Sequence, residues 1–115
     1  MHLHSSRAKW FWLSQVISGV ALFFFVGLHF YLQHYAVVGG LRDFQQILDY
    51  LTNWWALVLE WLFLSVVTVH AILGLRSIML DIGMNSRRMD IFSFLAVVFI
   101  IVYGIELTME ILRWK

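Results

Sequence analysis

The sequence contains no cysteine and no proline, and only 13% of its 115 residues are charged. Without cysteine there is no disulfide, no thiolate-ligated iron–sulfur cluster and no cysteine-ligated zinc site, so any metal must be held by histidine or carboxylate. Without proline, helices are expected to run fairly straight. The charged fraction is about half of the roughly 25% usual in soluble domains. Eight Lys and Arg against seven Asp and Glu leave a formal net charge of +1, and no nucleic-acid partner is expected. Internal repeats and low-complexity runs are absent too.

What is abundant is apolar surface: 62% of the residues are hydrophobic and 17% aromatic. Three stretches, about 10–35, 54–80 and 91–112, each exceed the ~20 residues a helix needs to span a bilayer. The chain therefore reads as all-α and integral to a membrane, a single anchor domain (1–115) of three transmembrane helices. The first stretch is far longer than the ~7–15-residue apolar core of a signal peptide, and no small-residue cleavage site follows it, so it is expected to be retained.

Residues 36–53 are too polar to span. Gly39 and Gly40 end the first helix, and Leu41, Phe44, Leu48 and Leu51 recur at helical spacing opposite Arg42, Asp43, Gln46 and Asp49, which suggests a loop or short amphipathic helix on the outer surface. Arg7 and Lys9 precede the first span, and Arg76, Arg87 and Arg88 sit at and beyond the end of the second, whereas the first loop has only Arg42 beside Asp43 and Asp49. By the positive-inside rule the N-terminus and second loop face the cytoplasm of a prokaryotic cell and the C-terminus faces out. Arg113 and Lys115 then fall outside, with Glu106 and Glu110 in reach to pair with them. Trp10, Trp12, Trp54, Trp55 and Trp114 fit interfacial anchors.

Two histidines, His29 and His70, lie deep in the first two spans. An imidazole buried in hydrocarbon needs a partner, so each is a candidate functional residue, and a metal-bound cofactor between helices is the expected partner. On the first span Gln15, Ser18, Leu22, Phe25, Val26, His29 and Gln33 recur every three or four residues, with Gly19 beside them; on the second Val66, His70, Gly74, Ser77 and Asp81 do the same. A glycine near a histidine leaves room for a flat macrocycle, or alternatively for close helix packing. Counted from the cytoplasmic ends at 1.5 Å per residue, the two histidines differ in depth by ~10 Å. That offset is awkward for two ligands of one haem and suggests two haems, one nearer each face. Three helices enclose a haem poorly, because such bundle sites draw on side chains of facing helices, commonly four. Each histidine is expected to need a second ligand from another chain.

The run Trp12-Leu13-Ser14-Gln15-Val16-Ile17-Ser18-Gly19-Val20, followed by Phe24, Gly27 and His29, resembles the first-helix pattern of the membrane cytochrome b anchors of succinate:quinone oxidoreductases and quinol:fumarate reductases. His70-Ala71-Ile72-Leu73-Gly74-Leu75-Arg76, leading to Asp81-Ile82-Gly83, is similar to that family's haem-ligand helix. The resemblance covers roughly half the chain. It implies a complex in which a flavoprotein subunit handles succinate or fumarate, an iron–sulfur subunit relays electrons, and the anchor holds haem b and helps form the quinone site. It also implies a second small anchor subunit that supplies the other two ligands, with His29 matching the ligand of the outer haem and His70 that of the inner. In the one-haem class of the family only the second-helix histidine ligates, and that alternative stays open.

Arg76, toward the cytoplasm from His70, is a candidate partner for a haem propionate, or else a positive-inside anchor. Ser14, Gln15 and Ser18 are candidates to hydrogen-bond a quinone carbonyl. The one-haem ubiquinone enzymes pair a serine with an arginine in this region, but here no arginine follows Trp12 until Arg42, which departs from a cytoplasmic-side ubiquinone site; the quinone is expected to be menaquinone. Glu60 and Glu106, toward the outer face, either serve protons to a quinone there or are interfacial glutamates reaching water. His34 is expected at the membrane edge, and His2 and His4 in solvent. No residue here can take hydride from succinate, so the chain would be part of an enzyme and not the catalyst of its dicarboxylate chemistry. Two other readings remain: a non-redox scaffold whose histidines only hydrogen-bond between helices, and the cytochrome b subunit of a formate dehydrogenase or hydrogenase, although those chains typically have more helices.

Overall fold

In a computed structural model that describes residues 2–114, α1 (His2–Phe30) runs into a π-helical turn (Tyr31–Tyr35), followed by α2 (Phe44–Leu51), α3 (Trp54–Asp81) and α4 (Ser86–Arg113). Lys115 and the side chains of His2 and His4 lie outside the described part. Three of these segments, 6–35, 54–81 and 86–113, are long and apolar enough to cross a membrane. At 1.5 Å per residue a 28-residue helix is about 42 Å long, enough for hydrocarbon and interfaces together. The protein is therefore an all-α membrane protein with three spanning helices.

The helix ends differ from the apolar stretches because capping, not hydrophobicity, decides where helices begin. α4 starts at Ser86, five residues ahead of the apolar run, because the Asn85 side chain accepts the Arg87 N–H at 2.8 Å. Gly83, with φ +94°, turns the chain between α3 and α4. The same logic applies to α2. Asp43 accepts the Gln46 N–H at 2.8 Å while the Gln46 side chain accepts the Asp43 N–H at 2.9 Å, a reciprocal cap that fixes the start of this short helix.

The first span is not a plain α-helix throughout. In its last turn the Ala36 N–H bonds the Tyr31 carbonyl at 3.0 Å, one residue wider than the α pattern. The carbonyls freed by the widened turn find other donors, for the Arg42 guanidinium donates to Leu32 O at 2.8 Å. Gly39 and Gly40, at φ +90° and +79°, allow the chain to fold back so that His34 Nδ1 donates to Gly40 O at 2.9 Å. α2 is thereby laid over the end of the α1–α3 pair formed by the C-terminus of α1 and the N-terminus of α3, with its Leu48 and Tyr50 buried.

α3 is the central helix and packs on α1 along one side and α4 along another. Antiparallel pairing with α1 can be followed through Phe11–Arg76, Gln15–Gly74, Ser18–His70, Phe25–Phe63 and His29–Glu60. Against α4, Trp61 Nε1 donates to Thr108 Oγ1 at 3.0 Å, and its ring lies close against Gly104. A Cβ at Gly104 would meet Trp61 Cη2 at 2.8 Å, so Gly104→Ala forces a large rigid ring to move. The expected cost is about 1–3 kcal/mol, read as a lower thermal midpoint of the purified complex; an unchanged midpoint would show that the α3–α4 seam does not depend on this contact. Most other large apolar side chains face outward, Phe23 (76% exposed) and Phe24 (69%) among them. Lipid or other subunits must cover them in the membrane.

Candidate functional site

The α1–α3 seam holds both intramembrane histidines, each partly exposed, and each is gripped at the same ring atom. At His70 the ring lies against the backbone of α1, where Gly19 leaves space that a Cβ would fill to within 3.2 Å of His70 Cε1. The buried Ser18 hydroxyl donates to the Gln15 carbonyl at 3.0 Å and sits 3.2 Å from His70 Nδ1. With its one proton committed to Gln15, the hydroxyl offers only a lone pair to the ring, so Nδ1 carries the proton and donates.

At His29 the acceptor is a carboxylate. Nδ1 lies 3.2 and 3.1 Å from the two oxygens of Glu60, and the ring packs on Phe63 with centroids 4.9 Å apart. Glu60 Oε1 also accepts from the Tyr50 hydroxyl at 3.0 Å, and Arg42 lies over the Tyr50 ring, 4.6 Å from its centroid. Tyr50 is 5% exposed. Burial first, and then the Glu60 carboxylate, push the phenol pKa far up, so the group stays a protonated donor across the physiological range.

In both cases Nδ1 is engaged, and among the described residues Nε2 has no hydrogen-bond partner. A proton fixed on Nδ1 makes Nε2 a lone-pair donor, the form an imidazole needs to bind a metal. Among the described residues no three His, Asp or Glu side chains converge as a metal-binding group. Each histidine thus offers one donor, as suits an axial ligand to a centre whose other ligands come from elsewhere.

The pairing register also revises the depth difference. Ser18, opposite His70, is about eleven residues before His29 on the same helix, which at 1.5 Å per residue is roughly 16 Å and not ~10 Å. The smaller figure measured the two histidines from two separately guessed helix ends; direct pairing removes that error. Beside the stripe, Gly19, Leu22, Phe23, Phe24, Val26, Gly27 and Leu28 form an open, shallow apolar face on α1 alone. Nothing lies within 4 Å of a Cβ at Gly27.

Several expected roles come out differently. The room at Gly19 is taken by the His70 ring itself, and the room at Gly74 by the Gln15 carboxamide, whose Nε2 would lie 3.1 Å from a Cβ there. Both glycines seat side chains of this chain, in keeping with the close-packing reading, whereas nothing among the described residues lies within 4 Å of a Cβ at Gly27, Gly39 or Gly83. Ser14, Gln15 and Ser18 do not form one site, because Ser14 is exposed while Ser18 is committed to Gln15 and His70. Gln15 Oε1 is buried without a hydrogen-bond partner. Arg76 donates from Nε to Asp90 at 3.0 Å and lies over Phe11 at 4.6 Å, so part of its donor set is used inside the chain. Glu60, read as a proton donor to quinone or a glutamate reaching water, instead holds His29 and Tyr50. The signal for that pairing was available: His29 and Glu60 lie at similar distances from the outer ends of antiparallel spans, and an intramembrane carboxylate calls for a named partner. Glu106 is exposed on α4, and Glu110 pairs with Arg113 at 3.4 Å.

Comparison with known proteins matches residues 1–105 to the family of succinate dehydrogenase/fumarate reductase transmembrane subunits. The chain is 29% identical over 103 residues to a succinate dehydrogenase hydrophobic membrane anchor subunit of Thermoplasma acidophilum, covering 87% of this chain and 84% of that protein. It is 32% identical over 77 residues to a protein of the same description from Archaeoglobus fulgidus, covering 67% and 65% respectively. No solved structure matches the chain.

Proposed function

Because the chain belongs to the family of succinate dehydrogenase/fumarate reductase transmembrane subunits, we propose that it is a haem b-binding half of such an anchor, working in a bundle with a second anchor subunit. The observation that carries this reading is the shared state of His29 and His70: Nδ1 donates to an acceptor, Nε2 is free, and the two rings stand at different depths.

The donor set fits haem, because His29 and His70 each have an imidazole nitrogen without a hydrogen-bond partner among the described residues that would hold its iron. When bound, haem b supplies one-electron transfer. The contribution of this chain is to hold and orient the ligands. Ser18 and Glu60 lock the two ring tautomers, Gly19 lets His70 lie close to α1, and the face around Gly27 offers apolar surface beside the stripe. His70 serves the inner haem and His29 the outer, each completed by a histidine of the partner anchor. Arg76 keeps its terminal nitrogens for a propionate while Asp90 takes its Nε.

In this reading electrons pass between an iron–sulfur subunit docked on the cytoplasmic side and a membrane quinone, with menaquinone expected, while a flavoprotein subunit carries the succinate or fumarate chemistry. The basic residues Arg7, Lys9, Arg76, Arg87 and Arg88 support an orientation with the N-terminus and the α3–α4 turn in the cytoplasm. A reduced-minus-oxidised spectrum of the purified complex containing this chain tests the proposal: a low-spin haem b signal is expected. A complex that assembles without any haem signal would overturn it in favour of a scaffold.

A further inference from the structure

The two histidines are backed by chemically different acceptors, a neutral hydroxyl at His70 and a carboxylate at His29. We propose that Glu60 is a positioning residue that sets the donor strength of His29, and that Tyr50 tempers it by drawing on the same carboxylate. The proposal rests on the reading of His29 as an axial ligand.

Hydrogen bonds to an ionised acceptor are roughly twice as strong as neutral ones. A carboxylate that pulls on the Nδ1 proton raises the basicity of Nε2 and so the electron density given to a bound metal. More donation favours the oxidised metal and lowers its reduction potential. Glu60 is placed for this. Both of its oxygens lie within 3.2 Å of Nδ1, and its side chain is 21% exposed, so water screens it little.

Tyr50 acts in the opposite sense. Its hydroxyl donates to Glu60 Oε1 at 3.0 Å, competing with His29 for the same lone pairs, and Arg42 sits over its ring. Because α2 carries Tyr50 and is capped at Asp43, the outer-surface helix becomes a device that holds a counter-donor over the outer ligand. Without the phenol, more of the carboxylate's charge falls on His29.

The two variants therefore shift the outer midpoint in opposite directions. In the intact complex, redox titration of Glu60→Gln should raise the outer midpoint, since the amide oxygen still accepts from Nδ1 but carries no charge. Tyr50→Phe should lower it. The inner midpoint should stay put in both, and the low-spin electron paramagnetic resonance signal of the outer centre should move while the inner one does not. A purely structural role would give no opposed signs.

If Glu60→Gln strips the outer haem, Tyr50→Phe decides alone. An unmoved outer midpoint, shifts of the same sign, or equal movement of both midpoints overturns the Glu60 assignment. The underlying reading fails separately, and is recognised by His29→Ala retaining full haem content.

Discussion

If His70 ligates one of two haems b as proposed, replacing it by alanine is expected to remove that haem from the assembled complex, with pyridine-haemochrome quantitation per complex falling by half. Among the described residues the ring is the only imidazole at that depth on the α1–α3 seam, and its neighbours there are poor substitutes. Ser18 has its proton on Gln15, Gln15 is an amide, and His29 is roughly 16 Å away along the helix. The loss reaches beyond the iron. A cofactor bound only in the native assembly stabilises it by mass action, so its absence weakens the α1–α3 seam and the contact with the partner anchor. The vacated ring also leaves the Ser18 lone pair without a donor and opens space at Gly19, changes that together cost on the order of 1–3 kcal/mol. Lower yield of intact complex should accompany the lower haem content. Unchanged haem per complex would sink the assignment of His70.

The spans were legible from composition and length because hydrocarbon imposes so simple a rule on a helix. What periodicity reports is which residues share a face, and the stripe from Gln15 to His29 is indeed the face that meets α3. Periodicity does not report which residue stands opposite which. The register of α1 against α3 comes from packing, and with it come the features that sequence reasoning lacked: Glu60 behind His29, Ser18 behind His70, and Gln15 rather than a cofactor at Gly74. Ser14 was grouped with Gln15 and Ser18 by proximity in sequence, yet a helix turns it about 100° from its neighbour and leaves it exposed. The early start of α4 was hidden because its first turn, Ser86 to Arg88, is polar and its signal is the single cap Asn85. The π-helical turn at Tyr31–Tyr35 has no local signature, and the donor that meets its Leu32 carbonyl, Arg42, lies ten residues later.

Replacing His29 by alanine should deplete the outer haem alone. His29 and His70 share no contact, their acceptors are different residues on opposite helices, and the distance between them is about three helical turns. Effects at sites so separated are close to independent. The variant should retain the component ligated through His70, with its midpoint and spectrum little altered, while Glu60 loses one donor and keeps Tyr50. Here the one-haem and two-haem arrangements part most cleanly. The decisive measurement is a potentiometric titration of haem b in the purified complex, carried out on the parent and on His29→Ala. The account predicts two midpoints in the parent and one in the variant, the survivor matching one of the original pair. A single midpoint with one haem per complex in the parent, unchanged by His29→Ala, would contradict it and leave His29 as a histidine held by Glu60 for the sake of the helix pair alone.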